Sequence, residues 1–371
     1  MITGKTSPRE KVLAKMKNVL IFSKNYENYV SGYYHQDIID AFTSLTNVLL
    51  YGPGYTNYSK KDTFCDVLSK LDADVADLDL IVFSTSWDED GSTDCVDPHP
   101  RIEVGAVDIP KVYFLNKEYK KLDLRFEYIK KQKISLVSTV HPSAPEWQAK
   151  LNIPFFHLPF GISLDRFKDF GLAKKYDFSF TGGLHASHTD MRFNVKKQLF
   201  KDSHLATKSN KGLSGFLRSP LKEEFEHYKI FWGEWGARNY LGRSILPTGA
   251  EYGYFMNQSK VFLNTPSAMG IFNTRFFELM ATKSLILCPE DSSYGSFLHN
   301  QVNCLMFKPD LSDFKKTLTM AIEDDALREL LVANACDGVK KHSYENRIID
   351  LLDRLTSVSY THLRAHETPE H

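Results

Sequence analysis

The stretch that decides the fold covers residues 264–307 and reads NTPSAMGIFNTRFFELMATKSLILCPEDSSYGSFLHNQVNCLMF. Its pattern predicts a loop, a helix over 273–282, a buried strand over 284–288, a second loop and a short strand around Leu305. A helix that leads directly into a fully apolar strand is typical of a parallel sheet covered on both faces. The stretch therefore predicts an α/β fold.

Polar residues stand at the start of this predicted helix. Asn273 is a suitable N-cap, and Arg275 and Glu278 share one face of the first turns. A helix N-terminus presents N–H groups and a positive dipole end, and an arginine beside it adds donors shaped for phosphate oxygens. The glutamate is then able to accept from a sugar hydroxyl. The alternative is an ion pair on the helix surface.

The order of these residues resembles the donor-binding end of group 1 glycosyltransferases, in particular the R-x-F-E subgroup related to spore-maturation-type enzymes. The resemblance rests on Arg275-Phe-Phe-Glu278, the apolar strand after it and the segment 295–307. It implies that Glu278 holds the ribose of a nucleotide sugar and that the helix start at Asn273 holds the diphosphate. The family pattern has another glutamate where this chain has Gly270, so that contact is unassigned.

Short apolar runs alternate with amphipathic segments through the first half of the chain. The predicted strands cover 18–23, 47–51, 80–85, 111–115 and 134–140. This alternation predicts a parallel sheet, and ligands of such sheets bind at the carboxyl ends of the strands. Together with the resemblance, it predicts a GT-B architecture, in which two Rossmann-like domains face each other across a cleft.

The domain boundary is predicted in the segment FFHLPFGISLDRF, residues 155–167, which resembles the family's linker. The predicted parts are an acceptor-side domain over 1–165, a donor-binding domain over 166–343, a crossover helix over 344–356 and a tail over 357–371. The helix start matches the family's terminal H-x-Y-x-x-R pattern at 342–347. The tail is rich in His and Thr, and we interpret it as foreign to the fold.

A pair of glycines opens the second predicted domain. Gly182 and Gly183 follow the strand predicted over 176–181, which lets backbone approach a phosphate. Arg192 and Lys196 lie on the next predicted helix, where group 1 enzymes place basic residues on the diphosphate. We therefore expect these four residues to bind the donor.

Three residues of the first predicted domain are further candidates. His141 directly follows the strand over 134–140, where an imidazole is able to donate to a sugar hydroxyl or a developing charge. Gly32 and His35 follow the first strand and are acceptor-side candidates. Alternatively, Gly32 is an ordinary turn residue, and His35 is a capping or exposed histidine.

An acidic loop leaves a different chemistry open. Asp88 and Asp90 form a D-x-D triplet after a strand, which is how GT-A glycosyltransferases bind a metal with a nucleotide diphosphate. The other interpretation is a solvated acidic loop. A non-catalytic two-domain binder of nucleotides or sugars is a third class, because paired Rossmann domains do not distinguish a binder from an enzyme.

The composition of the chain limits the kinds of partner that we expect it to bind. The 371 residues carry 46 Lys and Arg against 46 Asp and Glu, and this balance gives no indication of a nucleic-acid partner. Five scattered cysteines are typical of a reduced, cytoplasmic protein, and we expect neither a signal peptide nor a membrane span. The basic amphipathic segment 117–133 predicts a solvated helix or, alternatively, a peripheral contact with an anionic membrane.

The predicted activity is transfer of a sugar from a nucleotide-diphosphate donor to an acceptor hydroxyl. The resemblance implies retention of the anomeric configuration, no required metal, no resident cofactor, and a glycan or lipid-linked acceptor in surface polysaccharide synthesis. His141 and Arg275 are the expected catalytic residues. Stabilisation of the departing diphosphate is expected to supply much of the rate.

Overall fold

A computed structural model of the chain describes residues 16–27, 33–84, 87, 99–116, 118, 121–184, 191–202, 220–234, 249, 251–267 and 270–366. It divides into two compact units. Unit 1 comprises Met1–Gly161 and Ser343–His371, and unit 2 comprises Ile162–His342. Both units are α/β, as the sequence predicts.

The strands are β1 (Asn18–Phe22), β2 (Asn47–Tyr51), β3 (Leu80–Phe83), β4 (Lys111–Leu115), β5 (Leu136–Thr139), β6 (Phe155–His157), β7 (Tyr176–Gly182), β8 (Ile230–Glu234), β9 (Ser259–Leu263), β10 (Leu285–Pro289) and β11 (Leu305–Phe307). The α-helices among the described residues are α1 (Tyr34–Leu45), α2 (Phe64–Lys70), α3 (Leu122–Lys131), α4 (Ala144–Leu151), α5 (Met191–Leu199), α6 (Glu251–Asn257), α7 (Thr274–Ala281), α8 (Phe314–Glu323), α9 (Asp325–Val339) and α10 (Tyr344–His366). None of these helices combines the length and the apolarity that a membrane span requires.

Unit 1 is built on a six-stranded parallel sheet in the order β2-β1-β3-β4-β5-β6. Successive side chains of a strand point to opposite faces, so each strand serves two cores. Leu20 and Phe22 of β1 pack with α2 and α3 on one face. Val19 and Ile21 pack with α1 and α10 on the other. This two-sided burial explains why these strands are continuous apolar runs.

Helix α10 belongs to unit 1 although it is last in the chain. Ile348, Leu351 and Leu355 are at most 1% exposed and pack in the core face that contains α1. The helix also runs past the predicted end at 356 to His366, and Val358 is buried. The prediction that residues 357–371 are foreign to the fold stays a prediction, because Val358 is the one described side chain from 357 onward that is buried.

Unit 2 contains a five-stranded parallel sheet in the order β11-β10-β9-β7-β8. The chain enters at β7, in the interior of the sheet, and passes to β8 on one side and to β9, β10 and β11 on the other. The point where the order reverses lies between β7 and β9. In open α/β sheets, ligands bind at the carboxyl ends of the strands at such a switch point.

Candidate functional site

The carboxyl ends of β7 and β9 bring together several of the residues predicted to bind a donor. The strand β7 ends at Gly182, and β9 leads into Asn264 and Thr265. The helix α7 starts at Thr274, and Asn273, at its N-cap position, lies nine positions after Asn264. These neighbouring ends belong to segments far apart in sequence, and the parallel register joins them.

Two arginines converge on this edge of the sheet. Arg275, on the first turn of α7, donates from Nη1 to the carbonyl oxygen of Thr181 at 2.7 Å. Arg192, on α5, donates from Nη1 to the carbonyl oxygen of Gly183 at 3.0 Å and from Nε to Oγ1 of Thr265 at 2.7 Å. Both side chains are half-buried. Two guanidinium groups are thus held beside the same strand end, where they favour an anion.

Asn273 occupies the predicted N-cap position, but its side chain does not cap the helix. Its Oδ1 accepts from Nδ2 of Asn264 at 3.0 Å, and its Nδ2 donates to the carbonyl oxygen of Thr265 at 2.8 Å. The side chain therefore fixes the loop after β9. Since it does not accept from the first N–H groups of α7, it leaves these donors to other partners.

Glycine conformation shapes the same edge. Gly182 has φ +153°, and a Cβ there would lie 3.4 Å from Nη1 of Arg275 and 3.2 Å from Cζ of Phe180. Gly183 has open space at its Cβ position. Gly270 has φ +70°, a left-handed conformation that favours glycine. Glycine therefore suits this position, and the contact that the resemblance leaves unassigned here remains unassigned.

Glu278 lies on the second turn of α7 and is only 4% exposed. A surface ion pair with Arg275, the alternative interpretation, does not fit this burial. The carboxylate acts electrostatically on Tyr252 of α6, which is 7% exposed. Burial raises the pKa of Tyr252, the charge of Arg275 opposes this shift, and the charge of Glu278 adds to it. Glu278, Tyr252 and Arg275 therefore share one electrostatic environment.

Lys196 differs from its predicted role. It is 1% exposed, and its Nζ lies 2.6 Å from Oε1 of Glu234, the last residue of β8. The same carboxylate oxygen accepts from Nε1 of Trp232 at 3.1 Å. Burial lowers the pKa of Lys196, and the hydrogen bond that its ammonium donates to Glu234 opposes this shift. The geometry places Lys196 in a buried ion pair beside β7 instead of presenting it openly to a ligand.

His35 in unit 1 contradicts the alternative interpretation of a capping or exposed histidine, and its acceptor-side role stays a prediction. It is 5% exposed and its ring lies between those of Tyr26 and Tyr34, with centroids at 4.4 and 4.0 Å. It is therefore neither exposed nor at the N-cap of α1, a position occupied by Tyr33. Gly32, the other acceptor-side candidate, lies outside the described residues.

His141 follows β5, as predicted, and is 8% exposed. Its Nδ1 accepts from the backbone N–H of Ser143 at 3.1 Å, and its ring stacks on Trp147 at a centroid distance of 5.0 Å. The bond to Nδ1 orients the ring and leaves Nε2 as the protonated nitrogen of the neutral imidazole. The carboxyl end of β5 therefore carries an oriented donor.

The predicted metal-binding loop lies outside the described residues, and the predicted membrane-contact segment lies partly outside them. Asp88 and Asp90 lie outside the described residues, and within these residues no group of three His, Cys, Asp or Glu side chains is arranged to hold a metal.

The described part of 117–133 contains α3. Phe126 and Ile129 of this helix pack into the core of unit 1. The apolar stripe is therefore used inside the fold.

Three polar residues at the donor edge were missed by sequence reasoning. Thr181 and Thr265 supply the carbonyl and hydroxyl groups that hold the arginines, and Tyr252 donates to or accepts from Oγ1 of Thr181 at 2.5 Å. The position of both threonines at the carboxyl ends of apolar strands was an available signal. Tyr252 had none, because its partner is distant in sequence.

Each of the two α/β units contains a parallel sheet, and solved GT-B glycosyltransferases have this fold. HepE from Anabaena, solved with UDP-glucose, is 12% identical and matches over 92% of this chain and 99% of its own, with a TM-score of 0.55. A glycosyltransferase from Rickettsia africae is 11% identical over 92% and 98% of the two chains, also with a TM-score of 0.55. Sucrose-phosphate synthase from Thermosynechococcus elongatus is 11% identical over 95% and 100%, with a TM-score of 0.51. The two-sheet fold is the one predicted, and the metal-dependent alternative at Asp88 and Asp90 stays open because these residues lie outside the described ones.

The family comparison addresses the second half of the chain. Residues 214–353 match the family model described as glycosyl transferase-like. This segment includes β8 to β11, α7 with Arg275 and Glu278, and the start of α10. No curated protein matches the sequence significantly. The chain thus carries a glycosyl transferase-like segment within a GT-B fold.

Proposed function

We propose that the protein is a glycosyltransferase that moves a sugar from a nucleoside-diphosphate sugar to an acceptor hydroxyl. The observation that carries this proposal is the convergence of Arg192 and Arg275 on the carboxyl end of β7, at the switch point of the unit 2 sheet. The glycosyl transferase-like match over 214–353 includes the second of these arginines.

The chemistry follows from where charge develops. Breaking the bond between the sugar and the diphosphate leaves negative charge on the leaving group, and fixed cations lower the energy of that state. Arg275 and Arg192 are held by backbone carbonyls and need little rearrangement to act. The backbone at Gly182 and Gly183 lets phosphate oxygens approach closely. Asn273 holds the loop beside them.

The remaining donor residues have more specific roles. We assign Glu278 to the ribose hydroxyls, because a carboxylate buried near a cation is a strong acceptor. Lys196 does not contact the donor in this proposal. Its ion pair with Glu234 contributes to the electrostatic potential at this edge of the sheet. UDP is the first nucleotide to test, since HepE is solved with UDP-glucose. These assignments agree with the R-x-F-E subgroup.

Unit 1 supplies the other proposed contacts. His141 donates to the transferred sugar, and the segment around Gly32 and His35 receives the acceptor, a glycan or lipid-linked glycan of a surface polysaccharide. We propose retention of configuration without a required metal. A peripheral membrane contact through 117–133 would be electrostatic, because the apolar face of α3 packs inside unit 1.

The first experiment is a thermal-shift screen against UDP, GDP, dTDP, ADP and CMP, each with and without EDTA. A ligand at 100 times its dissociation constant stabilises a protein by about 2.7 kcal/mol. We expect a shift with UDP that persists in EDTA. A shift that EDTA abolishes would contradict metal independence and direct attention to Asp88 and Asp90. The absence of any shift would contradict the donor site.

Turnover separates an enzyme from a binder. Incubation with UDP-glucose and a panel of glycan acceptors releases UDP if the protein is a transferase that accepts these substrates, and a coupled assay measures that release. The matched variants are Glu278→Gln, which removes the buried carboxylate, and Glu329→Gln, which removes an exposed one on α9. We expect only the first to weaken UDP binding. Equal affinity in both variants would contradict the ribose assignment.

A further inference from the structure

We propose that Tyr252 is a positioning residue for Arg275, holding its guanidinium against the end of β7 through the ring and through a hydrogen bond to Thr181. The inference rests on the proposed donor role of Arg275. Nothing in the sequence motif includes Tyr252, which precedes Arg275 by a strand and a loop. It does not touch the donor and acts only through the arginine.

Thr181 is the link between the two side chains. Its carbonyl oxygen accepts from Nη1 of Arg275 at 2.7 Å, and its Oγ1 shares a hydrogen bond of 2.5 Å with the hydroxyl of Tyr252. Thr181 is 2% exposed and lies directly before Gly182. One residue at the end of β7 is therefore bonded both to the cation and to the tyrosine.

The ring of Tyr252 supplies the second contact. Cζ of Arg275 lies 5.8 Å from the ring centroid, within the distance at which a guanidinium is attracted to an aromatic face. Because Tyr252 is 7% exposed, this attraction is weakly screened by water. The ring thus supports the guanidinium on the side away from solvent.

Gly182 leaves space for the guanidinium at the strand end. A Cβ at that residue would lie 3.4 Å from Nη1 of Arg275, so any side chain there would lie directly against the cation. A long arginine side chain has many rotamers, and its electrostatic contribution depends on the one it adopts. The carbonyl of Thr181, the ring of Tyr252 and the backbone of Gly182 together select one position.

The test is a double-mutant cycle read out as the dissociation constant of UDP, measured by calorimetry on the full chain. Tyr252→Leu removes the ring and the hydroxyl, and we expect UDP to bind about tenfold more weakly. Tyr252→Phe keeps the ring, and we expect it to recover most of that affinity. In an Arg275→Ala background, Tyr252→Leu should change the dissociation constant by less than about twofold, because its target is absent.

Phe255→Leu is the matched control on the same helix. Phe255 is 5% exposed and packs on Phe231 and Phe262, away from the arginine. We expect this variant to lower the melting temperature and to leave UDP affinity unchanged.

Two results would overturn this inference and leave the proposed function intact. One is a tenfold loss of UDP affinity for Tyr252→Leu that persists in the Arg275→Ala background. The other is a UDP affinity of Tyr252→Leu equal to that of wild type. If Arg275→Ala binds UDP as well as wild type, the proposed donor site is wrong and the inference fails with it. These outcomes distinguish the two failures, because the first two leave Arg275 important for UDP.

Discussion

The two sheets follow the same pattern of strand connections, but their carboxyl edges carry different side chains. In unit 2 the described side chains at this edge are arginines held by carbonyl oxygens, with asparagine and threonine beside them. In unit 1 they include rings, with His35 beside two tyrosines and His141 on Trp147, together with Thr139 and Glu118, whose side chains are hydrogen-bonded at 2.7 Å. A cationic edge suits a diphosphate, and an aromatic edge suits the apolar faces of sugars. The two sheets offer equivalent positions, and under the proposed function their different side chains select different ligands.

The largest expected effect is that of removing a cation from the unit 2 edge. Arg275→Ala should lower kcat/KM for the nucleotide-sugar by on the order of 100- to 1000-fold, since a donor to developing charge is lost. Steady-state kinetics measures this. Lys315→Ala removes an exposed cation elsewhere in unit 2 and should leave kcat/KM unchanged. A loss below threefold for Arg275→Ala would contradict the assignment of the cationic edge.

Replacing Gly270 at the same edge by the glutamate of the pattern that this segment resembles should destabilise the fold. Gly270→Glu places a side chain at φ +70°, and we expect a cost of roughly 1–2 kcal/mol, or a fall in melting temperature of roughly 2–8 °C. Gly338→Ala is the control, because Gly338 lies within α9 with open space at its Cβ position and should gain stability. A Gly270→Glu variant as stable as wild type would show that this loop accepts other conformations.

Removing a side chain from the unit 1 edge should weaken binding of the sugar and leave the affinity for the nucleotide unchanged. His141→Ala is expected to weaken UDP-glucose binding about fivefold, the effect of one lost hydrogen bond, with UDP affinity unchanged. Calorimetry with both ligands measures the ratio. His227→Ala, which removes a histidine of unit 2 outside the proposed site, should change neither value. Equal losses for UDP and UDP-glucose with His141→Ala would contradict the division between the edges.

The smallest effect concerns a group that lies at neither edge. Lys283 and the N–H of Gly171 hold the pKa of Asp169 down, from 3.8 to about 2. Its stabilisation is therefore complete above about pH 4 and is lost as the pH falls towards 2. Because both partners are more than a third exposed, the contribution should stay below about 1 kcal/mol.

Thermal melts from pH 6 to pH 2 compare wild type with Asp169→Asn. The difference in melting temperature should shrink as the pH falls through this window, with UDP affinity at neutral pH equal in the two proteins. A difference that grows on acidification would have the wrong sign for a carboxylate with a lowered pKa.

Much of the fold was predictable because its strands are buried on both faces. The apolar runs around β1, β4, β7 and β10 stand out for this reason, and the start of α7 follows from its polar residues. The convergence of Arg192 and Arg275 at one strand end follows from parallel topology. Such features depend on local pattern together with one general rule of α/β sheets.

The side-chain partners were not predictable, because they come from distant segments. Lys196 appeared to be a free cation until β8 brought Glu234 against it. Asn273 had a suitable capping side chain, yet Asn264 and the carbonyl of Thr265 bind it instead. One alternative for His35 was a capping or exposed histidine, yet its ring is buried and stacks on that of Tyr26. In each case a tertiary contact outweighed a local preference.

The placement of α10 also determines the order in which the two units can be completed during synthesis. Every residue of unit 2 precedes Ser343, so all of its strands leave the ribosome before α10 does. Unit 1 begins first, yet the core face that α1 shares with α10 is incomplete until Ile348, Leu351 and Leu355 arrive. The nascent chain therefore carries part of this apolar face uncovered through most of its elongation, and such exposed apolar surface favours aggregation.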